Sequence, residues 1–106
     1  MNTYALQSYG KQYDIQLEKT AYVYKDLLAV EMWVVENGER TEPWSKLTVC
    51  LGVYTDPDCA FIDTNNNGEQ ICDWLVKNKI AEPTGRMQAS GFCMYPEFRF
   101  NMSAFE

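Results

Sequence analysis

The chain has 106 residues, 46% hydrophobic and 14% aromatic, with 9 Lys+Arg against 15 Asp+Glu and a formal net charge of -6. That composition excludes a disordered chain, and the acidic balance argues against a protein that tracks nucleic-acid phosphates, which needs clustered Lys and Arg. The sequence contains no histidine, which removes the Ser-His-Asp triad, the Cys-His pair and His-ligated metals.

Residues 1–7 carry no basic segment and no long apolar run, so no signal peptide is expected there. No stretch reaches the roughly 18 apolar residues of a membrane span. A cytoplasmic protein is expected, with Cys50, Cys59, Cys72 and Cys93 as thiols. Their spacing contains no C-x-x-C pair, so they read as buried, inert side chains rather than a zinc site.

Residues 13–18 alternate apolar and polar, the pattern of a half-buried strand, and Tyr22-Val23-Tyr24 extends the same strand system. Residues 27–36 end in a β-branched and aromatic run leading to Asn37-Gly38, the strongest short hairpin signal, since both residues accept positive φ. The returning strand is expected over residues 44–54, with Leu47, Val49, Leu51 and Val53 on one face and Pro43 at its start. Thr55-Asp56-Pro57-Asp58 is a turn. Residues 59–63 form a short apolar strand.

Ile71, Trp74 and Leu75 then fall at helical spacing, which predicts a helix over about residues 68–79. Asn67 and Gln70 fit a capping box at its start. Residues 82–86 read as a loop, and Phe98, Phe100 and Met102 alternate on one face of a last strand. The whole is an α+β fold, a single globular domain over residues 1–106: an antiparallel sheet of about four to six strands with one main helix packed on it. The hairpin leaves a sheet edge, so both a monomer and a homodimer stay open.

Asp63-Thr64-Asn65-Asn66-Asn67-Gly68 matches the first half of a calcium loop, which makes Asp63, Asn65 and Asn67 weak metal candidates. The second half fails, because Trp74 stands where the bidentate Glu is required. The same residues serve a strand-to-helix turn, and no metal or other cofactor is expected.

Residues 47–76 contain no Lys or Arg, yet carry Asp56, Asp58, Asp63, Glu69 and Asp73. These five define a candidate acidic face for docking a basic partner protein. The alternative is a small-ligand or metal-ion binding module using the 63–68 turn and the 84–96 loop, with Thr84, Arg86 and Tyr95 as ligand contacts and Gly85 and Gly91 as positions of positive φ or close backbone approach. An enzyme is not expected: Cys59 and Cys93 are the candidate nucleophiles, and neither has an evident base.

Residues 60–66, Trp74-Leu75, residues 81–86 and Ser90-Gly91-Phe92-Cys93-Met94-Tyr95-Pro96 together resemble a family of small uncharacterised Firmicutes proteins, a domain of unknown function often found on prophages and conjugative elements. The resemblance covers roughly the C-terminal half and carries no catalytic signature. It implies a setting in which small acidic proteins bind host proteins, including defence nucleases and other nucleic-acid-binding proteins. The leading expectation is therefore a cytoplasmic protein that acts by protein–protein contact.

Overall fold

The computed structural model describes residues 2–106. Two antiparallel four-stranded sheets and one main helix make an α+β architecture. The first sheet runs in chain order, β1 (Tyr4–Ser8), β2 (Lys11–Ala21), β3 (Leu28–Glu36) and β4 (Glu39–Lys46). The second has the order β5-β6-β8-β7, from β5 (Thr48–Val49), β6 (Cys59–Ile62), β7 (Ala81–Ser90) and β8 (Cys93–Phe100). Between β6 and β7 lie α1 (Thr64–Asn67) and α2 (Gln70–Lys77), and a 3-10 turn, Met102–Phe105, ends the chain.

Turn chemistry sets the registers. Tyr9 and Gly10 both take positive φ, as do Asn37 and Gly38. Each pair is the two-residue turn whose twist matches the flanking strands. Ser8 therefore faces Lys11 and Glu36 faces Glu39. Residues 39–42 thus belong to the ladder, and the β3–β4 turn has its minimum length.

The returning strand differs from the expected 44–54. It pairs with β3 as far as Lys46, opposite Glu31, through two bulges that absorb Pro43, and beyond Leu47 the chain pairs with β6 instead. Leu47 then bridges the sheets, its amide bonding Val30 O (2.9 Å) and its carbonyl accepting from the Asp63 amide (2.9 Å). Thr48 is buried beside it, where its hydroxyl accepts from the Val30 amide (3.0 Å) and pairs with the Tyr22 hydroxyl (2.8 Å).

Residues 82–86 differ too, being part of a ten-residue strand, β7. Pro83 faces Phe98 and Met87 faces Pro96, so residues 84–86 bulge out opposite Glu97 alone. Gly85 takes φ +92 there, a conformation closed to most side chains. Met102 lies in the 3-10 turn rather than on a strand face.

The inner faces of both sheets meet around one apolar cluster. It draws Ile15, Val30 and Met32 from the first sheet and Ile62 and Phe98 from the second. Amphipathic α2 covers it with Ile71 and Leu75, its two buried residues. Trp74 pins the helix to the opposite sheet, its indole N–H donating to Ala5 O (2.7 Å). The helix ends in a Schellman motif: Ile80 N–H bonds Leu75 O (2.9 Å), Lys79 N–H bonds Val76 O (3.1 Å), and Lys79 takes φ +57.

Among the described residues, no helix is long and apolar enough to cross a membrane.

Candidate functional site

The predicted acidic set separates into three places. Asp56 and Asp58, on the turn before β6, converge on Arg99 of β8. Arg99 Nη1 lies 2.5 Å from Asp58 Oδ1 and Nη2 lies 3.1 Å from Asp56 Oδ2. The Arg99 hydrogen bond holds the Asp58 carboxyl below its ordinary pKa, and the two carboxylates push the guanidinium up in turn. This cluster borders an open depression of about 560 Å³, whose rim includes Lys19 and Met102.

Asp56, Asp58 and Cys59 bring three possible ligand atoms within 4.8 Å of one another. The chemistry does not suit a cation. Arg99 already bonds one oxygen of each carboxylate and supplies their counter-charge, and burial pushes the Cys59 thiol up to about 11, away from the thiolate a metal needs.

Asp63 is 8% exposed, and this takes it out of the outward-facing acidic set. One carboxylate oxygen accepts from the Asn66 amide (3.2 Å) and the other from the Asn66 side chain (2.8 Å), which caps α1. Asn67 does not cap α2. Its side chain bonds Asp63 O (2.9 Å) and Lys46 O (3.1 Å) and accepts from the Ser45 hydroxyl (2.9 Å). Gln70 makes no capping box, because the residue before α2, Glu69, has helical φ and ψ and no side-chain cap bond. The Asp63 and Asn67 side chains thus knit a turn together, and Asn65 lies exposed on it. Glu69 and Asp73 remain exposed at the start of α2.

The alternative ligand residues gather around a side chain the sequence reading did not select, Glu97 of β8. It is 7% exposed. The Thr84 hydroxyl donates to its Oε1 (2.7 Å), and Arg86 Nη1 lies 3.3 Å from its Oε2. The same Arg86 nitrogen donates to Tyr54 O (2.8 Å), and its guanidinium sits 5.3 Å from the Phe61 ring centroid. Tyr95, two residues along β8 on the same face, is buried. Thr84 and Arg86 are therefore engaged with a carboxylate of their own chain.

The distal half of the β7–β8 hairpin has the opposite character. Residues 87–96 carry no charge. Met87 faces Pro96 and Ala89 faces Met94, on the face of β8 that delivers Phe98 and Phe100 to the core. Beyond the core that face continues uncovered: Met87 is 49% and Met94 54% exposed. The turn is set by Gly91 at φ +60. Phe92 follows it, fully exposed.

A family model described as a domain of unknown function (DUF4313) matches residues 16–106. The chain belongs to this family. It matches no curated protein and no solved structure. The DUF4313 match takes in every residue of the three acidic places, the Glu97 network and the β7–β8 arm, and leaves out β1 with the first part of β2.

All four cysteines of this DUF4313 chain are free, but only Cys59 is buried; Cys50 is exposed, and Cys72 and Cys93 are intermediate. The expectation of uniformly buried thiols holds for Cys59 alone. The Arg99 and Glu97 partnerships were missed for a simple reason. They join residues 41, 43 and 11–13 positions apart, and nothing local in the sequence marks such pairs. The uncharged stretch 87–96 was visible, but its exposure depends on how far the hairpin outruns the core.

Proposed function

We propose that the protein acts by binding another protein, and that the β7–β8 arm is the principal contact surface. The observation that carries this reading is the uncovered apolar face of Met87 and Met94 behind Phe92, which is 110% exposed. Large exposed apolar side chains grouped on one feature mark interaction surfaces, whereas scattered ones do not. Aromatic residues and Met are enriched in interface cores, and charged ones are depleted there. The arm has that composition in a chain whose net charge is -6.

The acidic residues contribute less than the sequence alone suggests. Asp56 and Asp58 bring their own counter-ion in Arg99, which leaves Glu69 and Asp73 as the exposed, unpaired acids of the set among the described residues. We infer a cytoplasmic host protein as partner, in keeping with the mobile-element setting that the resemblance implies; a defence or nucleic-acid-binding protein fits an acidic ligand.

Affinity capture from host cells tests this with a paired control. Met87→Glu with Phe92→Glu places two charges on the arm without touching the core. The variant is expected to keep its thermal midpoint and lose the captured partner. Retention of that partner at wild-type yield would reject the arm as the contact surface.

A further inference from the structure

Residues 50–58 cross the outer face of the second sheet as a strap without regular secondary structure. Side chains of other elements hold it. The Tyr24 hydroxyl donates to Gly52 O (3.1 Å), Arg86 donates to Tyr54 O (2.8 Å), and Arg99 clamps Asp56 and Asp58 at its far end. Among the described residues, backbone bonds secure only that far end, where Cys59 N–H meets Asp56 O (2.9 Å) and Phe100 N–H meets Asp58 O (2.7 Å). Among the described residues, 50–55 join no strand ladder.

Beneath the strap lies an apolar crevice lined by Leu27, Val49, Leu51, Val53, Ala60 and Phe61. The strap closes it to about 10 Å³, barely the room a single water needs. Phe61 is 2% exposed yet stands outside the main core cluster, on the other face of β6. Its burial depends on the strap and on the Arg86 guanidinium above its ring.

We propose that residues 50–55 open as a unit on the anchored 56–58 turn, with Arg86 as the latch, and that opening uncovers the crevice at Phe61 for small, uncharged apolar molecules. Residues 50–54 are exposed or half-buried, only Thr55 is buried, and no ladder holds them; such segments lie at the low-stability end of a fold and open locally. Arg86 is the tie that matters most, because one guanidinium bonds the strap carbonyl, pairs with buried Glu97 and covers Phe61. Tyr24 is a solvent-exposed neutral tie and counts for less.

Limited chymotrypsin digestion of the intact protein tests this, because the enzyme can cut after Tyr54 in the strap and after Phe92 at the hairpin tip. Cleavage at an exposed residue still requires its flanking segment to open. Arg86→Met is expected to speed the Tyr54 cut about tenfold relative to the Phe92 cut, while Arg86→Lys, which keeps a donor, gives a smaller rise. The neutral apolar dye Nile red is expected to bind Arg86→Met more strongly than wild type, with saturation at one site. Equal acceleration of both cuts would mean general destabilisation and overturn the proposal. An unchanged Tyr54 cut, or Nile red binding no stronger than wild type, would overturn it as well.

Discussion

Arg99 and Asp58 are joined by a 2.5 Å hydrogen bond that spans 41 residues of sequence and ties the β6 entry turn to the last strand. The bond lowers the Asp58 pKa below its ordinary value of 3.8. A carboxyl with a depressed folded pKa stabilises the fold above its unfolded pKa, and that contribution is lost as the pH falls through the folded value. Arg99→Met is therefore expected to have a lower thermal midpoint than wild type at neutral pH. The two midpoints are expected to converge once the pH is well below 3.8. The pair is exposed to solvent, so the gap is small and narrows in high salt. A gap that persists unchanged in strong acid would contradict the assignment.

Asp63 caps α1. Asp63→Ala is expected to cost about 1 kcal/mol in urea unfolding, the usual value of an N-cap, and Asp63→Asn to cost less. Titration with Ca²⁺ is expected to leave the wild-type midpoint unmoved, since the carboxylate is already bonded to Asn66. A rise in the midpoint with Ca²⁺ would restore the calcium-loop reading, because a ligand that binds only the native state must stabilise it.

Lys79 ends α2 with φ +57, where glycine carries no steric penalty. Lys79→Gly is expected to raise stability by about 1 kcal/mol, the order of the left-handed penalty for a residue with a Cβ. Equilibrium denaturation measures this directly, and a loss of stability would contradict the Schellman ending.

Cys59 gives an alkaline signature. Burial raises its pKa from 9.0 to about 11. A thiol whose pKa rises on folding stabilises fully below its unfolded value, and the contribution is lost as the pH rises through the folded one. The thermal midpoint is expected to fall between pH 9 and about 11, and to fall less steeply in Cys59→Ala. Thiol labelling at neutral pH is expected to modify exposed Cys50 first and Cys59 last.

Local signals carried much of the fold. Asn37-Gly38, the alternation over 13–18 and the spacing of Ile71, Trp74 and Leu75 each marked an element that is present. What escaped depends on tertiary context. Pro83 and Gly85 look like loop residues, yet they sit in an edge strand that tolerates a missing donor and absorbs a bulge. Leu47 to Val53 alternate like one strand, but the chain changes sheets at Leu47, which no periodicity records. The acidic residues were legible as a sequence cluster. Whether each carboxylate faces solvent, an arginine or a helix end was decided by partners far along the chain.

The contact proposed for the β7–β8 arm is with another protein. Site-specific photo-crosslinking in host cells tests it most directly, with the crosslinker placed in turn at position 92, at Glu36 on the β3–β4 hairpin and at Asp73 on α2. One discrete adduct is expected from position 92, absent from position 36, and lost when Met87 and Met94 are changed to Glu. An adduct from position 73 with none from position 92 would contradict it and move the contact to the acidic surface of the helix.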